Sequence, residues 1–161
     1  MTQPDRRGDE RAQLLGFLDY YRSQIIDKVE GITEEQARWK PAETANSLGA
    51  IVNHLARVEH WWFHAVFAGK PFELHRDRQD PLYDFHSAYS LPLAQMVERY
   101  QAECERSRGI VAAAPSLDAM SANPDREVNL RWILLHMLEE TARHAGHMDI
   151  TRELIDGTVE R

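Results

Sequence analysis

The segment Asn129 to Leu154, NLRWILLHMLEETARHAGHMDITREL, sets His136, Glu140, His144 and His147 at steps of four, four and three. Such steps return to one face of an α-helix, where side chains lie one above another. A solvated helix face ordinarily mixes charged residues with small ones. This face instead carries three imidazoles and a carboxylate, with Ile133 and Met137 beside it. Asn129 is a good N-cap for the helix and Gly157 a good stop. The pattern reads as half of a metal site, and the other half has to come from elsewhere in the chain.

Working outward, 161 residues at 43% hydrophobic and 28% charged make one domain, long enough to bury a real core. A formal charge of −7 makes a nucleic-acid backbone or an anionic membrane a poor partner. Cys104 is the single cysteine, so no internal disulfide and no thiolate cluster can form. The opening MTQPDRRGDE lacks the apolar core of a signal peptide. The longest apolar runs are broken by His64 and His136, far short of a membrane span. The expectation is a soluble cytoplasmic protein.

Residues 1–8 are polar and read as a frayed leader, with a single domain over 9–157. From Asp9, the residues Leu14, Leu18, Tyr21, Ile25 and Val29 form an amphipathic stripe that Gly31 stops. Thr33 and Gln36 make a capping box for a short extra turn, closed by Pro41. Ser47 caps the second long helix, SLGAIVNHLARVEHWWFHAVFAG, which ends at Gly69. Ile51, Leu55, Val58, Trp62 and Ala65 share its apolar arc, and Asn53, Arg57, His60 and His64 share a polar one. His54 lies at the edge of the apolar arc, so it alone of this helix's histidines is expected to point inward. Residues 70–89 lack periodicity and read as a long surface connection, of the length that is often functional. Ser90 is expected to cap a third helix carrying Leu93, Val97, Tyr100, Cys104 and Val111, which Pro115 closes. No strand is predicted. The economical architecture is an all-α four-helix bundle, with an extra turn and a long connection between its second and third helices.

Bundle metal sites are built from side chains on facing helices. Glu140 and His144, one turn apart, reach a single ion, and His54 is the inward histidine available from another helix. Imidazole and carboxylate donors suit zinc, nickel or iron, and three of them leave coordination positions open. Plainer readings stand beside this one. A histidine at the edge of an apolar face packs as a hydrogen-bonded core residue, and a Glu–His pair at i, i+4 forms a surface ion pair. His147 can replace Glu140 as third ligand, although its neighbours Arg143 and Thr151 are poorer co-ligands, which favours contact with a ligand residue or substrate. His136 either orients Glu140 or packs. Arg143 either balances an anionic substrate or pairs with Glu139 or Glu140. His60, His64, His75 and His86 read as surface residues, Trp61 and Trp62 as core packing, and Cys104 as an inert packing residue. No G-x-S-x-G elbow, glycine-rich phosphate loop, H-E-x-x-H or C-x-x-C appears. Nor does the chain carry the paired E-x-x-H motifs of a di-iron bundle.

The runs TEEQARWKPAETANSL, SLGAIVNHLARVEHWWF and HMLEETARHAGHMDITRE resemble the DinB-like superfamily, especially its branch of small-thiol-dependent transferases. The resemblance covers residues 10–156, with 70–125 its least specific part. It implies a four-helix bundle with a three-residue metal site holding zinc or nickel, often in a homodimer. The ligand from the second helix maps onto His54, and the two from the last long helix map onto Glu140 and His144. Many relatives have histidine where this chain has Glu140; glutamate occurs in maleylpyruvate-isomerase-like relatives that use mycothiol. That departure leaves either Glu140 or His147 to complete the set. The implied activity is a divalent-metal-dependent S-transferase. A low-molecular-weight thiol of the mycothiol or bacillithiol type, bound at the metal as thiolate, attacks an electrophilic small molecule. The alternatives are a metal-dependent hydrolase and a non-catalytic, stress-associated metal-binding protein.

Overall fold

Asp9 accepts the amide of Ala12 at 2.8 Å and opens α1, Glu10–Asp27. The computed structural model describes residues 4–43, 46–74, 77 and 79–159; the expectations for residues 1–3 and for His75 lie outside them. α1 ends at Asp27, four residues before Gly31 can stop it, and Gly31 then turns the chain at φ 73. The Thr33–Gln36 capping box is reciprocal and opens α2, Glu34–Arg38. Ser47 accepts the amide of Ala50 and opens α3, Leu48–Glu59. The helix continues through His60–Phe67 as a π-helix, whose hydrogen bonds skip one residue more than in an α-helix. Gly69 ends it at φ 63, where a Cβ would lie 2.9 Å from that of Ala122.

The long connection contains α4, Tyr83–His86, followed by a 3-10 turn over Ser87–Ser90. The next helix, α5, Leu93–Ala113, is capped by Pro92 and not by Ser90. The Ser90 hydroxyl donates to the Ser87 carbonyl instead, and the α2 residue Glu34 accepts the Leu93 amide at 2.7 Å. Asn129 opens α6, Leu130–Asp156, and Gly157 closes it at φ 75. Among the described residues there is no strand, only an isolated antiparallel bridge between Met120 and Asn129. None of their helices is long and apolar enough to cross a membrane.

The four long helical stretches pack with α1 against α6 and α3 against both α5 and α6. Ile51, Leu55, Met96, Tyr100 and Met148 form one core, and Leu18, Phe63, Ile133, Leu134 and Met137 another. Each such side chain contributes roughly 1.5–3 kcal/mol on burial. Between α1 and the end of α3, Arg22 grips Glu59 through both carboxylate oxygens, at 2.8 and 2.7 Å, and both residues are buried. The connector after α5 folds over the end of the π-helix. Ala122 and Asn123 donate to the carbonyls of Phe67 and Val66, which the helix leaves unpaired.

One expectation fails clearly. Asn53, Arg57 and His60, assigned to a solvated face, are 0%, 4% and 1% exposed, so His54 is not the only inward histidine. α4 and α5 cover this face with polar partners of their own. Asn53 donates to the Asp84 carbonyl at 2.6 Å, Arg57 pairs with the Asp84 carboxylate, and His60 Nδ1 meets Glu103 at 3.0 Å. His86 is exposed beside Asp80, and His64 is half-buried.

Candidate metal centre

α3 and α6 meet so that His54, Glu140 and His144 each bring a ligand atom within 4.8 Å of the others. The i, i+4 spacing on α6 stacks Glu140 and His144, and His54 faces them from the middle of α3. Both imidazoles aim Nε2 at one atom, Glu140 Oε1, at 3.0 Å from His54 and 3.2 Å from His144. The other carboxylate oxygen of Glu140 is held by Arg143. All three residues are largely buried, and His144 Nδ1 has no hydrogen-bond partner among the described residues.

A second layer comes from α4. Phe85 stacks on the His54 ring at 4.3 Å and 19°. Asp84 places Oδ2 3.6 Å from His54 Nδ1 while its other oxygen takes Arg57. A carboxylate behind a ligating histidine fixes the tautomer and directs the far nitrogen to a metal. Neither Asp84 nor Phe85 was singled out from the sequence; they sit in the aperiodic connection, where only the aromatic–acid–aromatic run YDF marks them.

The charge state follows from these contacts. Hydrogen bonds from His144 and His54, with Arg143 beside them, hold the Glu140 carboxyl far below the usual range against the opposing effect of burial. Burial disfavours charge on His54, but the Asp84 and Glu140 carboxylates outweigh it and raise its pKa. For His144 burial wins, helped by the neighbouring His54, and its pKa falls. Burial opposes ionisation of Asp84, yet His54 and Arg57 lower its pKa. An ionised carboxylate and two imidazoles, one disposed to be neutral, converging on one point are a donor set that fits a divalent cation of the zinc or nickel class.

The remaining candidates fall outside this convergence. His147 is exposed, and its ring centre lies 5.8 Å from that of His144. Arg143, also exposed, bridges Glu139 and Glu140. His136 stacks on Trp132 at 5.1 Å and meets Trp62 at 4.9 Å, with Glu139 as its carboxylate neighbour, so it packs rather than orienting Glu140. Cys104 is buried on α5, where burial and the Glu59 charge push its thiol well up and keep it protonated. A cavity of about 670 Å³ opens between α1 and α5 and includes Tyr20, Arg22 and Arg108; none of the three converging residues lines it.

Solved structures share the fold, three of them as follows. A conserved protein from Enterococcus faecalis is 15% identical with a TM-score of 0.75, over 94% of this chain and 99% of that one. YfiT from Bacillus subtilis, described as a probable metal-dependent hydrolase with an unusual four-helix bundle topology, is 11% identical at a TM-score of 0.65, over 98% and 95%. The mycothiol-dependent maleylpyruvate isomerase is 11% identical at 0.62, over 84% of this chain and 59% of its own. At such identities the likeness is one of fold alone. No curated protein matches the sequence. The mycothiol-S-transferase family does match, over residues 13–157. That span runs from the first turn of α1 through the Gly157 cap of α6 and takes in every residue of the His54–Glu140–His144 convergence, so the chain belongs to the mycothiol-S-transferase family.

Proposed function

We propose that this protein is an enzyme that transfers a low-molecular-weight thiol of the mycothiol type onto an electrophilic small molecule, with a divalent cation held by His54, Glu140 and His144. Family membership gives the reaction class. The observation that carries the site is the convergence of two imidazole nitrogens on Glu140 Oε1. A bound divalent ion supplies Lewis acidity, which lowers the pKa of a coordinating thiol into the neutral range.

The chain's own residues do the rest. With a cation in place of the Nε2 proton that now faces Glu140, the Asp84 carboxylate 3.6 Å from Nδ1 would favour the remaining His54 proton there. Phe85 covers the outer face of the His54 ring and limits water there. Arg143 holds Glu140 and places a positive charge at the exposed rim, which suits an anionic group on either substrate. Cys104, buried and protonated, supplies no nucleophile, so the thiol is that of the cosubstrate. The homodimer implied by the resemblance belongs to the same proposal and is read by sedimentation.

The test uses untagged protein and its His54→Ala and His144→Ala variants. Metal content is measured first, then conjugation of monochlorobimane with mycothiol, bacillithiol and glutathione. We expect each variant to lose a bound equivalent of metal together with mycothiol-dependent conjugation. Metal content or conjugation unchanged in both variants overturns the reading, and ester or amide cleavage without thiol moves it to the hydrolase.

A further inference from the structure

A separate set of ligating side chains gathers where α3 gives way to the π-helix. His60 and His64 stack there with ring centres 4.6 Å apart and a 34° tilt. Glu73, from the following connection, brings a carboxylate oxygen within 4.8 Å of a nitrogen on each ring. π-helical turns recur at functional sites.

The hydrogen bonds fix which nitrogens face this point. His60 is 1% exposed and its Nδ1 lies 3.0 Å from Glu103 Oε2, while Nε2 accepts the Glu73 amide at 3.3 Å. The proton therefore sits on Nδ1, and the Nε2 lone pair points toward Glu73 and His64. A carboxylate behind the ring and an unprotonated nitrogen in front, here held only by a long amide contact from Glu73, is the arrangement metal-ligating histidines adopt. His64 Nε2 is buried with no hydrogen-bond partner among the described residues, which a simple pair of packed rings leaves unexplained. Phe72 closes one side, edge-on to His60 at 5.2 Å. Arg106 lies 3.4 Å from Glu103 and 3.6 Å from Glu73. Two carboxylates against one guanidinium, around two imidazoles, leave a net negative charge.

We propose that His60, His64 and Glu73 form a second divalent-cation site of the zinc class, independent of His54, Glu140 and His144, with Glu103 as the positioning residue for His60. Zinc takes two imidazoles and a carboxylate at roughly 2.0–2.2 Å, so the three ligand atoms must draw together. Glu73 can do so because its side chain is 60% exposed. On binding, His60 Nε2 exchanges the Glu73 amide for the ion, and His64 Nε2 gains the partner it lacks.

The experiment dialyses metal-free, untagged full-length protein against Zn²⁺ and counts bound zinc by mass spectrometry. The variants are His64→Ala and Glu73→Gln, both outside the core, together with His144→Ala. We expect two equivalents in the parent, one in each single variant, and none in His64→Ala combined with His144→Ala. Circular dichroism unchanged in Glu73→Gln separates lost binding from lost fold. One equivalent in the parent that His144→Ala alone abolishes overturns the proposal, as do two equivalents retained in both His64→Ala and Glu73→Gln. One equivalent that His64→Ala removes and His144→Ala does not would uphold this site and sink the one assigned to His54, Glu140 and His144.

Discussion

Asp84→Asn removes one charge that faces both His54 and the buried Arg57, so its stability is measured beside its metal affinity. Its backbone carbonyl still accepts from Asn53 at 2.6 Å and keeps α4 anchored to α3. What disappears is the carboxylate 3.6 Å from His54 Nδ1. Losing such a partner costs roughly 10–100-fold in metal affinity, or about 1.4–2.7 kcal/mol. Two features place Asp84 at the low end. The separation exceeds hydrogen-bond length, and the side chain is 36% exposed, so solvent screens the interaction. The expected loss is about tenfold, close to 1.4 kcal/mol. A competition titration with a chromogenic chelator reads it on the zinc equivalent that His144→Ala removes. Because His54→Ala is itself expected to release this equivalent, the control is the zinc equivalent that His64→Ala removes, which Asp84→Asn should leave unchanged. An unchanged affinity at the first equivalent, or an equal loss at both, refutes the claim that Asp84 acts through that imidazole.

Glu59→Gln strands the buried Arg22 guanidinium and should cost about 3–5 kcal/mol, lowering Tm on the order of 10 °C. Arg22→Met with Glu59→Leu should recover most of that, since both partners are buried and an apolar pair needs no desolvation; a thermal scan of the three proteins decides it. Gly69→Ala forces a side chain into the left-handed region at φ 63 and against Ala122 Cβ, at a cost above about 1–2 kcal/mol. A urea midpoint equal to the parent's would contradict that. Acidification should destabilise the metal-free protein most steeply below the ordinary carboxyl values of 4.5 for Glu140 and 3.8 for Asp84. Both pKa values are depressed on folding, so the stability they confer is present above those values and lost as pH falls. Urea melts across the acid range test this, and a midpoint flat through them would count against the two ion pairs.

Local signals in this chain were legible because their physics is local. Asp9, Thr33 with Gln36, Ser47 and Asn129 each satisfy an amide within three residues, so a helix start can be read from a few letters. Ser90 misled because the Leu93 amide is satisfied by Glu34, 59 residues away, and no window on the sequence holds both. The Glu140–His144 pair was legible for the same reason as the caps, being one turn of one helix. His54 was found by its place at the edge of an apolar arc and by the DinB-like resemblance. The polar arc beside it was misread because periodicity equates polar with solvated, an equation that fails when a second polar layer packs on top. His60, with Glu103 against one nitrogen and an amide against the other, is as buried as the leucines across the helix.

That polar layer ties the candidate centre to the rest of α3. Asn53, His54 and Arg57 lie within one helical turn, and all three reach residues 84–87. Asn53 holds the Asp84 carbonyl and Ser87 Oγ, Arg57 holds the Asp84 carboxylate, and His54 lies under Phe85. The turn that presents the imidazole therefore also anchors the segment that orients and covers it, whatever the remainder of the 70–92 connection does. Anchoring through backbone acceptance and a buried guanidinium leaves the Phe85 ring and the Asp84 charge as the two separable contributions to His54. Phe85→Ala should expose the ring without moving its tautomer, whereas Asp84→Asn should free the tautomer without exposing the ring. If both changes alter metal affinity and solvent access at His54 together, α4 acts as one rigid plate and the division of labour drawn from these contacts is wrong.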